Sequence, residues 1–142
     1  MFTIGFILEF IFLFFICSLF IYYSNYFDRP NLYKIFFASL FVKLVFFIFI
    51  NNYLHSYTDG FAFYDDYDYH HVALEMADHW KQGEFYHPKE IKYQAEKNPG
   101  YYYVNAFIYS LFGSNTYNAR LFNLFLSIII AFYVYLIGSK IF

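Results

Sequence analysis

"FTIGFILEFIFLFFICSLFIYY", residues 2–23, carries a single charge, Glu9. An α-helix of about 20 apolar residues crosses the hydrocarbon core of a bilayer. Lipid offers backbone N–H and C=O groups no partner but each other, so the run is predicted to be a membrane-spanning helix. Leu32–Ile50 reads the same way, with Lys34 near its start and Lys43 inside it. Asn25–Pro30 between them, with Asp28, Arg29 and Pro30, has the chemistry of a turn, and the two runs form a hairpin.

The whole chain agrees with that start. Its 142 residues are 61% hydrophobic and 30% aromatic, and only 14% are charged. Ordinary soluble domains carry about 25% charged residues, so the class is membrane protein. No basic region or small-residue cleavage site surrounds the first run, which is expected to be retained rather than removed as a signal. Cys17 is the sole cysteine, which excludes an internal disulfide. No basic tract points to nucleic acid.

Charge is concentrated in one insert. Thirteen of the twenty charged residues and all five histidines fall between His55 and Lys97, where nine acids face four lysines. Beyond it, "KNPGYYY" opens a second apolar pair. Asn98 suits an N-cap, Pro99 the first helical position and Gly113 the end, predicting a helix over Pro99–Phe112. At 1.5 Å per residue that helix is about 21 Å long, short for a span. Ser114–Ala119 is read as a turn, Arg120 as its membrane edge and Leu121–Ile137 as the last crossing.

The expected fold is therefore all-α and polytopic: about four membrane helices in two hairpins, residues 1–52 and 99–142, around an acidic loop at 53–98 that contains an amphipathic helix. Arg29 and Lys34 put the first short loop in the cytoplasm. The insert and both ends are then expected outside, and Arg120 on the cytoplasmic edge.

Two charges lie at membrane depth. A hairpin pivoting near residue 28 brings Glu9 level with about residue 47, within one turn of Lys43. Either the two pair and fix the hairpin's register, or Glu9 reaches the interface while Lys43 snorkels.

Within the insert, "FYDDYDYHH" (residues 63–71) gathers acids and histidines. From Asp68 onward, Tyr69, Val72, Ala73, Met76 and Trp80 recur at three- and four-residue intervals, one face of an amphipathic helix that Gly83 would stop. Asp65 and Asp66 stand at its N-terminal entrance. One reading makes them caps stabilised by the helix dipole. The other notes that a cap needs one carboxylate where this entrance has three, and that close carboxylates raise one another's pKa, as a general base requires. His71, Glu75 and His79 follow at four-residue steps, which a solvated helix face explains without a metal. Tyr101, Tyr102 and Tyr103 either anchor the membrane interface or line a groove for a lipid or sugar. No closed metal site and no cofactor motif is present in the sequence.

The order "DDYDYHHVA", "GEFY", "NPGYYYVNAFIYSLFGSNTYNARLFNLFLSIIIAFYVYLIGSKIF" resembles the N-terminal part of the C-type integral-membrane glycosyltransferases, in particular the family 39-like group of protein mannosyltransferases and lipid A aminoarabinose transferases. Asp65 falls on that group's external-loop Asp, Asp66 on its acidic partner, Tyr69 on its Tyr and Ala73 on its Ala. Asn98-Pro99-Gly100 matches the helix opening, Leu111-Phe112-Gly113 and Arg120-Leu121 the following turn, and Asn123 a residue common after it. The likeness covers Val42–Phe142. Asp66 stands where Glu is commoner, an extra helix precedes the usual start, and such enzymes continue for several hundred residues further.

The resemblance implies an N-terminal fragment of an enzyme that moves a sugar from a polyprenyl-phosphate donor to an acceptor hydroxyl outside the cytoplasm, inactive alone. Asp65 and Asp66 would be its catalytic carboxylates, with Asp65 the base, and Tyr69, Lys97 and Tyr101 would bind substrate. Some relatives of the broader fold hold a divalent metal near such a pair. The partners implied are the lipid-linked sugar, the acceptor, the bilayer of a bacterial inner membrane and a second chain supplying further helices. The alternative is a small non-enzymatic accessory or assembly subunit. A third reading, proton or ion handling through Glu9, Lys43 and the histidines, conflicts with a histidine cluster outside the apolar runs.

Overall fold

A computed structural model describes residues 3–24, 29–57, 64–91 and 99–141, excluding the side chains of residues 56, 57 and 64–66. The described elements are all helical: α1 (Ile4–Tyr23), α2 (Arg29–Tyr57), α3 (Tyr64–Lys81), α4 (Pro88–Ile91), α5 (Pro99–Phe112) and α6 (Thr116–Ile141). Three of them, α1, α2 and α6, are long and apolar enough to cross a membrane.

These three form one bundle with an aromatic core. Leu13, Cys17 and Ile21 of α1, Leu32, Phe36 and Leu40 of α2, and Leu121, Phe125, Ile128 and Phe132 of α6 are buried together. Phe14 meets Phe36 edge-on at 5.2 Å, Phe10 meets Phe125 at 5.7 Å, and Phe20 stacks on Phe132 at 5.7 Å. Offset and edge-on ring pairs add to the area they bury. The opposite faces carry Ile11, Phe15, Phe41, Phe46, Phe49, Ile130 and Val134, all exposed. Helices apolar all round suit an apolar medium, and these outward side chains are consistent with helices that cross a membrane.

The contacts also fix direction. Phe47 of α2 meets Phe6 near the start of α1 and Tyr117 near the start of α6. At the other end Asn31 of α2 donates to the Tyr135 hydroxyl at 2.9 Å. Thus α1 and α6 run parallel and α2 runs against both. The end of the bundle where α2 finishes, and from which the insert leaves, is the end where α6 begins.

This revises the reading of Arg120. Its guanidinium donates to Asn51 Oδ1 near the end of α2, on the insert's side of the bundle, whereas the two-hairpin layout puts it on the far side. The reason lies in α5. It packs more extensively along α3 than along α6. Val72, Ala73, Met76 and Ala77 of α3 and Tyr102, Ala106, Ile108 and Tyr109 of α5 share one buried cluster. Alanines at 73, 77 and 106, all fully covered, let the two backbones come close.

The local signals behave as their chemistry requires. Gly83 ends α3 at φ +84°, with its N–H on the Trp80 carbonyl at 3.0 Å, and Gly113 ends α5 at φ +99°. At that second corner Asn118 donates to the carbonyls of Phe112 and Gly113 at 3.0 and 2.8 Å, satisfying the end of α5. Asn115 Oδ1 accepts from the Tyr117 N–H at 3.0 Å, so α6 starts at Thr116, five residues earlier than the expected crossing. The predicted cap Asn98 lies outside the described residues.

Glu9 and Lys43 do not pair. The Phe6–Phe47 contact confirms that the two stand at similar height, but they point differently. Glu9 is fully buried and turned toward α5 and α6; neither carboxylate oxygen has a hydrogen-bond partner among the described residues. Lys43 is half-buried on α2.

Candidate functional site

The polar side chains at the insert's end of the bundle meet around a small cavity. Tyr69 and His70 of α3, Tyr101, Asn105 and Tyr109 of α5, and Arg120 of α6 enclose about 40 Å³. A space of this size holds a water molecule or two and is too small for a sugar ring.

Each wall is held in place. His70 Nδ1 lies 2.9 Å from the Tyr109 hydroxyl. Asn123 Nδ2 donates to the Tyr101 hydroxyl at 2.7 Å, tying α6 to α5. Asn51 holds Arg120 with its oxygen and donates its Nδ2 to the Phe47 carbonyl at 2.7 Å. Three side-chain hydrogen bonds thereby tie α3 to α5, α5 to α6 and α6 to α2 at this end of the bundle.

The charge state follows from the surroundings. Burial, then His71, then the Arg120 guanidinium push the His70 imidazole down from 6.5 to about 4, so it is neutral at physiological pH.

Tyr69 and Tyr101, expected to share a substrate site, come together edge-on at 4.7 Å, and Tyr69 also meets Tyr102 at 4.7 Å. Helix α3 begins at Tyr64, so Asp65 and Asp66 belong to its first turn and precede Tyr69 and His70 by one turn, about 6 Å of helix axis. Their side chains, and the whole of Lys97, lie outside the described residues. His71 and Glu75 are exposed, as expected for a solvated face. His79 bonds Glu84 Oε2 at 2.9 Å through Nδ1 and stacks on Tyr86 at 4.0 Å.

Sequence reading missed Asn51, His70, Asn105 and Tyr109 as members of this network. Asparagines inside apolar helices at 51 and 105 were the available signal, because both are buried and a buried amide requires partners. Comparison with protein-family models, curated proteins and solved structures found no match for this chain.

Proposed function

We propose that the chain is the N-terminal part of a membrane enzyme that transfers a sugar from a polyprenyl-phosphate donor, with Asp65 and Asp66 as its carboxylates. The observation that carries this reading is the position of Arg120. A guanidinium fixed beside His70, one helical turn from those acids, puts a cation for a phosphate and a base for a hydroxyl at the same end of an apolar bundle. The donor's phosphate would lie above the 40 Å³ cavity, with Tyr69 and Tyr101 beneath its sugar. In this scheme Asp65 accepts the acceptor hydroxyl's proton as that oxygen attacks the anomeric carbon and the lipid phosphate departs. Transfer is assigned to an assembly containing the further helices of such enzymes.

The experiment uses native membranes supplied with a radiolabelled polyprenyl-phosphate sugar. Asp65→Asn should lower transfer by at least about 100-fold. Arg120→Gln should weaken the donor's apparent affinity more than the turnover. A second reading has its own support: the hydrogen bonds join helix to helix and the cavity between them is small, as in a structural lock. Unchanged transfer in both variants would favour that accessory role.

The membrane arrangement belongs to the same proposal. Three crossings, α1, α2 and α6, place Arg29, Lys34 and Lys140 together on the side away from the insert. A cytoplasmic location of those three follows the charge rule, and residues 53–98 then lie outside, in a bacterial inner membrane. Single cysteines placed at Glu84, Ser114 and Ser139 in a Cys17→Ala background separate this from four crossings. Positions 84 and 114 should react with an impermeant maleimide from one face, and position 139 from the other. Opposite behaviour of 84 and 114 would restore the second hairpin.

A further inference from the structure

Lys43 is the central residue of α2, as far from Arg29 as from Tyr57. At 1.5 Å per residue its Cα stands about 21 Å from each end of the helix. In the membrane arrangement proposed above that is the middle of the hydrocarbon layer, about 15 Å from the headgroups on either side. A lysine near the end of a crossing reaches the interface along its stem, but four carbons do not cover that distance. Ionisable groups at such depth are costly, and they normally pair within the protein or face a water-filled space. Lys43 does neither. It has no hydrogen bond or ion pair with the described residues, and it lines neither the polar cavity nor the apolar space beside Glu9.

Its setting is open to a partner. Lys43 is half-buried, and its Nζ, unlike the sealed oxygens of Glu9, is reachable from outside the bundle. Ser39 precedes it by one turn, and Phe46 and Ile50 follow on the same side of α2, 60% and 45% exposed. A small residue next to exposed apolar ones lets a further helix come close. The sources of a counter-charge are few. Lipid phosphates lie in the headgroup layer, beyond reach. A second copy of this chain would bring its own Lys43 and a Glu9 fully buried in its own bundle, and the other acids with described side chains, Asp68, Glu75, Asp78, Glu84 and Glu90, all belong to the insert. Charge complementarity then requires a carboxylate from elsewhere. We propose that the Lys43 side of α2 seats a membrane-spanning helix of a different polypeptide, one that carries an aspartate or glutamate near its midpoint. The inference uses the three crossings but not sugar transfer, and the maleimide pattern described above tests the crossings separately.

The test reconstitutes the full chain in phosphatidylcholine vesicles near neutral pH, with a donor fluorophore on Ser139→Cys in the Cys17→Ala background. Acceptor-labelled polyleucine membrane peptides carry Asp, Asn or Leu at the centre. Energy transfer should show the Asp peptide binding about tenfold more tightly than the other two. Lys43→Leu should erase that preference, and Lys34→Leu should leave it unchanged. Lys43→Leu should also melt no earlier than the parent protein, because it removes an unpaired charge from the membrane interior, so lost binding would not reflect unfolding. An Asp peptide that binds no better than the Asn or Leu peptide, a preference that survives Lys43→Leu or is lost in Lys34→Leu, or early melting of Lys43→Leu would each overturn the proposal.

Discussion

Gly5→Ala should detach α5 from α1. A Cβ at position 5 would stand 1.6 Å from the Phe112 carbonyl oxygen and 2.7 Å from its carbon, and both are backbone atoms that no rotamer change can move. Phe112 is the last residue of α5, followed by the left-handed Gly113, and its carbonyl is also held by Asn118. The corner therefore has to shift as a unit, carrying with it the Phe12–Phe112 ring contact at 5.9 Å. Overpacking of side chains costs about 1–3 kcal/mol, and a backbone collision should lie at or beyond the upper end of that range. Thermal unfolding in mild detergent, with limited proteolysis between residues 82 and 98, gives the measurement. A Gly5→Ala protein as stable and as protease-resistant as wild type would show that the α1–α5 approach does not exist. Gly100→Ala is the control, because nothing lies within 4 Å of a Cβ there.

The second large effect comes from pH. The unfolded His70 takes up a proton near 6.5, whereas the folded side chain, buried beside His71 and Arg120, does so only near 4. Between those values the unfolded chain binds the extra proton. His70's contribution is therefore complete above pH 6.5 and is lost as the pH falls toward 4. The interval corresponds to about 3 kcal/mol as an upper bound, reduced because the ring is only partly buried. Tyr109 and Tyr101 of α5 and Arg120 of α6 face this position, and the release should appear as α3 and α5 loosening from α6. Carboxylates titrate in the same interval, so the quantity to compare is the difference between wild type and His70→Gln. Melting temperatures should converge as the pH drops from 7 to 4.5. Parallel curves would remove His70 as the cause.

Element boundaries were legible where one residue type has one physical use. Pro99 at a helix start, Gly113 and Gly83 in left-handed conformations, and the stripe from Tyr69 to Trp80 each restrict the backbone or mark a buried face, and α5 has its predicted bounds. The side on which Arg120 stands was not legible. Counting charges at helix ends treats each apolar run as a candidate crossing and says nothing about whether a short one packs on a neighbour instead. The seam of Ala73, Ala77 and Ala106 was the missing clue, since small residues allow two helices to approach closely. Glu9 shows the same limit. Its height relative to Lys43 follows from the turn between two helices, but the direction in which it points depends on α5 and α6, far along the chain. Of the candidate site, Tyr69 and Tyr101 were expected to contact one substrate, and they meet edge-on. The asparagine and histidine contacts depend on four helices meeting and have no local pattern.

The single thiol at Cys17 has a practical consequence. It sits within α1 at 1% exposure, packed where α1, α2 and α6 converge. Alkylation there requires the bundle itself to part, so the rate of modification by a small lipid-permeant reagent is a clock for breathing of the transmembrane core, with no label to introduce and no second sulfhydryl to confuse the trace.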